Sequence, residues 1–255
     1  MTATPAGMTY ADYLKLDSLL SAQEPLSALH DEMLFIVIHQ TKELWLKQML
    51  HELALACRLV RADQFAPACK AMARISRIQA VMTLSWDVLA TLTPVDYSRF
   101  RGVLGTSSGF QSVQFREFEF RLGVKDSKFL EMHEGGSAGH ALLTAALDEP
   151  SLWDEANAAL ARAGFGVSDG TSDSIRAAWT AVYRDIERWF ELYALAEKLV
   201  DIDDALAGWR HKHVLTVTRI IGGKMGTGGS AGAAYLESTL SKRAFPELWA
   251  LRTDL

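Results

Sequence analysis

Cysteine is nearly missing from this chain: 255 residues contain only Cys57 and Cys69, twelve positions apart. That count and spacing exclude a disulfide framework and a cysteine-based zinc site. Proline is scarce too, at six residues, so long stretches run without a helix breaker. Long apolar runs are absent; the longest, Met33 to Ile38, is far too short to cross a bilayer. Basic residues are not in excess, and the formal net charge is −5. A protein that grips a phosphate backbone needs a basic face, so no nucleic acid is expected as a partner. The stretch Met1 to Met8 has no basic start followed by an apolar core, so no secretory leader is expected. The composition, 49% hydrophobic and 22% charged, is that of an ordinary globular protein. The expectation is one cytoplasmic domain over residues 1–255, with no membrane association.

What is present reads as helix. Asp31 to Arg61 holds neither Gly nor Pro, and Leu34, Val37, Ile38, Thr41 and Leu44 recur at helical spacing. Gln64 to about Leu89 reads as a second helix, with Pro67 tolerable in its first turn. Asp173 to about Asp201 reads as a third, carrying Ile175, Trp179, Val182, Ile186, Trp189 and Tyr193. A fourth, from about Asp204 to Ile221, places Trp209, His213, Val217 and Ile220 on one stripe. Phe115 to Phe120 alternates like a strand but also fits a helix, and its helical neighbours favour the helix. Glu134 to Gly139 and Gly164 to Thr171 read as breaks, neither long enough to divide domains. The fold class is all-α.

Several patterns that would carry chemistry fail. H-E-x-x-H is absent, no Glu precedes a His by three, and C-x-x-C-H is missing. His211 and His213 stand two apart on a helix, about 200° around its axis, and cannot share a metal. Two single histidines stand out instead, His39 just after the apolar run and His213 on its stripe. Each is either a satisfied core imidazole or one of a pair flanking a flat cofactor; periodicity does not choose. The segment Gly222 to Gly232 has six glycines in eleven residues. It fits neither a dinucleotide fingerprint, because a helix precedes it, nor a P-loop, because Lys224 is followed by Met225. It reads as a flexible loop or as a mobile lid offering the Thr227 hydroxyl. Arg101 follows Tyr97 by four, a guanidinium beside a phenol that suits either a carboxylate or a surface ion pair. Tyr10, Tyr13 and Leu14 share one face of an N-terminal helix, an arrangement equally suited to ordinary packing.

Together the strings Thr9 to Asp17, His30 to Trp45, Ser107 to Ser112 and Trp209 to Gly232 closely resemble the tryptophan 2,3-dioxygenase family. The resemblance spans about Met8 to Arg252 and keeps the family's motif order. It implies a helical bundle around a haem pocket, one haem b per subunit, assembling as a homotetramer. The implied reaction adds O₂ across the indole C2–C3 bond of L-tryptophan to give N-formylkynurenine, the first step of tryptophan catabolism by the kynurenine pathway. By position, His213 matches the axial iron ligand and His39 the distal histidine that hydrogen-bonds the indole N–H. Phe35 matches the indole-pocket wall, Arg101 the carboxylate clamp with Tyr97 nearby, and Thr227 the lid threonine. Trp86 and Ser108 match residues beside the haem. Tyr10, Tyr13 and Leu14 match a segment, about residues 8–20, that reaches a neighbouring subunit's site. The stretches Glu24 to His30 and Leu122 to Trp179 look shorter than in familiar bacterial members, Gly223 and Met225 depart from the lid pattern, and His211 is unusual. Two rivals share these residues: an oxygenase of another indole on the same fold, and a non-catalytic haem or gas-binding protein. The second has no use for a carboxylate clamp and a lid.

Overall fold

The computed structural model describes residues 7–167 and 170–255. Residues 1–6, part of the stretch read for a leader, lie outside the described residues, as do Ser168 and Asp169 within the Gly164–Thr171 break. The helices are α1 (Tyr10–Leu14), α2 (Leu16–Leu20), α3 (His30–Arg61), α4 (Phe65–Leu89), α5 (Pro94–Phe100), α6 (Val113–Leu122), α7 (Ala138–Asp148), α8 (Leu152–Arg162), α9 (Ser172–Arg184), α10 (Ile186–Ile221), α11 (Ala233–Ser238) and α12 (Pro246–Ala250). No strand occurs among the described residues, and no single helix is long and apolar enough to cross a membrane.

Three long helices build the frame: α4 packs against both α3 and α10. Leu46, Met49, Leu53 and Val60 from α3 meet Met72, Ile75 and Met82 from α4, and Leu195, Leu199 and Leu206 from α10. These residues recur every three or four positions, so each helix hides one stripe. Burying a side chain of this size contributes about 1.5–3 kcal/mol. The α3–α4 turn places Asp63 at φ 54. Arg162 of α8 fixes that turn, donating to Asp63 Oδ1 at 2.7 Å and to the Val60 carbonyl at 2.9 Å.

The inward stripe of α3 differs from the expected one. Val37 and Leu44 are exposed, and the buried positions are Ile38, Lys42, Leu46 and Met49. The stripe is rotated because the helix turns its face to α4, α6 and α8, and a lysine rather than an apolar residue fills one inward position. Phe115 to Phe120 is helical, within α6. Before it, Phe110 sits in a separate 3₁₀ turn, Gly109–Gln111.

The boundary expected between Asp201 and Asp204 does not exist. The chain breaks earlier, at Asp185, and α10 then runs unbroken past the acidic cluster, with one kink at Trp189. Asp203 ends no helix. Its buried carboxylate accepts the N–H of Ala244 and the indole N–H of Trp249, each at 2.9 Å, docking the C-terminal segment on α10. Clustered acids read as a break between helices, and only a partner some forty residues on reveals that Asp203 is a buried tie. The break at Glu134–Gly139 is also shorter than expected, since α7 starts at Ala138 and packs on α6.

Candidate active site

A smaller apolar cluster, Ile38, Trp86, Leu89, Leu92, Phe100 and Ile220, lies beyond the main core where α3, α4, α5 and α10 converge. Beside it opens a cavity of about 620 Å³. Phe35, His39, Trp86, Tyr97, Arg101, Ser108, His213 and Thr227 all line it. Local sequence brings them there: the α3 repeat aims Phe35 and His39 inward, and the α10 stripe aims Trp209, His213, Val217 and Ile220 the same way.

His39 is oriented by its own helix. Its Nδ1 lies 2.7 Å from the Phe35 carbonyl oxygen, which can only accept, so Nδ1 carries the proton. Nε2 is then left as a hydrogen-bond acceptor. Burial lowers the His39 pKa and favours the neutral ring. Phe35 packs against that ring with centroids 4.2 Å apart, and against Tyr97 at 5.9 Å.

His213 is more deeply enclosed. Trp86 stacks on it with centroids 4.3 Å apart and planes 12° from parallel, and Trp209 lies at 5.1 Å. Burial pushes its pKa down to about 3, so a lone pair is free at neutral pH. Its ring nitrogens make no hydrogen bond to any described residue. A neutral, unpartnered imidazole in an apolar wall suits axial ligation of a metal held by something other than protein. Among the described residues no three His, Cys, Asp or Glu side chains gather as a metal site. The indole nitrogens of Trp86 and Trp209, the Thr216 hydroxyl and the Lys42 ammonium are buried without partners. An apolar slot with unpartnered polar groups on its walls and one free imidazole fits a flat, metal-centred macrocycle with polar edges.

The mouth is closed by the glycine-rich segment. Arg101 donates from Nη2 to the Met225 carbonyl, and the Thr227 hydroxyl donates to the Ser107 carbonyl. Gly228 packs so closely on Ser108 that a Cβ there would lie 2.6 Å from the serine Cβ. Gly232 has φ +63, and a Cβ would lie 2.3 Å from the Lys224 carbonyl oxygen. Glycine at both positions lets the lid seat. Ser108 also caps the 3₁₀ turn Gly109–Gln111, and its own N–H donates to Gln111. The phenol of Tyr97 is raised in pKa by burial and stays protonated.

Tyr10, Tyr13 and Leu14 are not brought to this cavity. Tyr10 and Tyr13 on α1 are 76% and 73% exposed, so the described residues leave them largely uncovered. His211 is turned to the outside, with Nδ1 3.1 Å from the Ala207 carbonyl. Sequence reasoning missed Lys42, which lines the cavity one turn beyond His39. Its spacing of three from His39 was the available signal, obscured by the habit of reading lysine as solvated.

The chain matches the family model for tryptophan 2,3-dioxygenase over residues 1–165 and 170–255. It is 61% identical to the tryptophan 2,3-dioxygenase of Caulobacter vibrioides, over 97% of this chain and 98% of that protein. It is 51% identical to that of Bacillus cereus, over 97% and 93%, and 49% identical to that of Polaromonas naphthalenivorans, over 97% and 92%.

Proposed function

The chain belongs to the tryptophan 2,3-dioxygenase family, and from that premise we propose how its pocket adds O₂ across the indole C2–C3 bond of L-tryptophan to give N-formylkynurenine. The observation that carries the reading is the pair of neutral imidazoles, one from α3 and one from α10, on the walls of a single apolar cavity. His213 would hold the iron of haem b, one per subunit, through its imidazole, and Trp86 and Ser108 would flank the group. When bound, the haem supplies the redox-active iron that O₂ chemistry requires, which no side chain provides.

The protein's own task is positioning. His39 Nε2, left as an acceptor by the Phe35 carbonyl, takes the indole N–H and fixes which ring edge faces the reacting oxygen. Phe35 and Tyr97 form the aromatic wall. Arg101 binds the substrate carboxylate with a two-pronged guanidinium, and Thr227 meets the ammonium and carboxylate end. Both atoms of O₂ enter the product, so no net proton or electron is needed from the protein. His39 therefore holds the indole N–H without having to remove its proton. The lid over the mouth excludes water while the bond between C2 and C3 opens.

The exposed aromatic face of α1 supports a homotetramer in which Tyr10, Tyr13 and Leu14 complete a neighbour's site. Free thiols at Cys57 and Cys69 suit the reducing cytoplasm. The deciding experiment mixes reduced, haem-loaded protein with L-tryptophan and O₂ and follows the absorbance of N-formylkynurenine. Absence of that product from protein with bound haem and tryptophan rejects the reading.

A further inference from the structure

Lys42 has no part in the reaction as derived above, yet it occupies the cavity wall. It is only 6% exposed. Its Nζ lies 2.8 Å above the centre of the Trp86 ring and has no hydrogen-bond partner. Trp86 is itself stacked on His213 at 4.3 Å, and no ammonium fits between rings that close. Lys42 and His213 therefore occupy opposite faces of one indole. The ammonium is separated from the imidazole by the thickness of that ring, displaced to the side of the His213 ring plane.

A buried ammonium without an anion is costly, and a π face offsets only part of the loss. Burial accordingly pushes Lys42 down to about 6. The nearby carboxylates are committed elsewhere. Glu43 accepts from Gln114 at 2.8 Å, and Glu119 holds Arg116 at 2.6 Å and Arg210 at 2.7 Å. His39 offers no anion, and its Nδ1–H donates to the Phe35 carbonyl. An anion arriving with the occupant of the pocket would give Lys42 Nζ the partner that the described residues do not provide.

Resting on the haem reading of this site, we propose that Lys42 anchors a carboxylate of the haem periphery. The amino-acid carboxylate goes elsewhere, to Arg101 at the mouth, so the two carboxylate classes in the pocket meet different cations. With the haem carboxylate in place, opposite charge holds the lysine protonated.

The test measures haem release from the loaded protein to excess apomyoglobin, followed at the Soret band. Lys42→Met keeps the aliphatic stem on Trp86 and removes the charge. It should release haem about tenfold faster than the unmodified protein, as expected for loss of one charge-assisted contact. Lys42→Arg should stay within about twofold, and Lys42→Gln provides a second neutral variant if methionine is not tolerated. With the haem dimethyl ester, which has no carboxylate, the neutral variants and the unmodified protein should release at the same rate. An unchanged rate with ordinary haem overturns the proposal, as does an equal acceleration with the diester, which indicates lost packing. A weaker tryptophan affinity with unchanged haem release overturns it as well, and assigns Lys42 to the substrate. Failure of the unmodified protein to bind haem overturns the haem reading itself, and is seen before any variant is compared.

Discussion

Arg101 reaches across the cavity mouth and donates to the backbone carbonyl of Met225, so its guanidinium ties down the glycine-rich segment. The contact is to a backbone atom, so it survives the unusual side chain at position 225. On the proposed reading, a substrate carboxylate arriving at Arg101 would compete with that carbonyl and so couple binding to the position of the segment.

Arg101→Ala should raise the KM for L-tryptophan by roughly ten- to a hundredfold, the loss expected of about 1.5–3 kcal/mol for a hydrogen bond to a charged group. Arg101→Lys should rescue poorly, because an ammonium lacks the planar fork. Steady-state kinetics with tryptamine, which has no carboxylate, should show a poor substrate indifferent to either change. Faster turnover of such an indole than of tryptophan would reassign the chain to an oxygenase of a different indole.

Gly228→Ala should impair the lid without harming the fold. The new methyl would lie 2.6 Å from the Ser108 Cβ, closer than packed carbons approach. KM should rise several-fold while the melting temperature stays within a degree or two, and adding Ser108→Gly should restore part of the affinity. Equal kinetics before and after the single change would show that this contact does not seat the lid.

His213→Ala should leave protein that folds but loses haem, or holds it weakly with an altered Soret band. Circular dichroism and haem content separate the two effects. An unaltered imidazole-ligated spectrum would exclude His213 as the axial ligand.

His39→Ala removes one acceptor for the indole N–H, on the order of 1–3 kcal/mol. Turnover should fall ten- to a hundredfold and persist. Complete loss of activity with normal haem and tryptophan binding would make His39 an obligatory base.

Acid should erase the contribution of Glu32 at the start of α3. Its carboxylate accepts the N–H groups of Leu26 and Ser27, each at 2.8 Å, and the Ser27 hydroxyl. The Ser27 hydroxyl, then the Leu26 N–H, lower the pKa below the ordinary 4.5. A depressed carboxyl pKa gives stability that is complete above the ordinary value and lost as pH falls through the lowered one. Glu32→Gln should therefore lower the melting temperature at pH 7, with a gap that narrows toward pH 3. A gap of constant size would show that the charge is not what holds this strap.

The helices with the clearest repeats were legible from the residues. The α4 limits match the expected ones, and α10 stops before Gly222 because a glycine ends a helix through local backbone geometry. The stripe of Trp209, His213, Val217 and Ile220 does line the cavity. The rotation of α3 was not legible, since Val37 and Leu44 obey helical spacing as well as Ile38 and Leu46 do.

Sequence alone therefore determined what depends on near neighbours and on motif order: the all-α class, most helix limits and membership of the family. Tertiary structure decided what depends on distant partners. It made Asp203 a buried tie within a continuous helix where a break between two helices was expected, set the His39 tautomer through the Phe35 carbonyl, and enclosed Lys42. A side chain's charge state and role follow from the dielectric and the partners around it, and these come from residues scores of positions away in the chain.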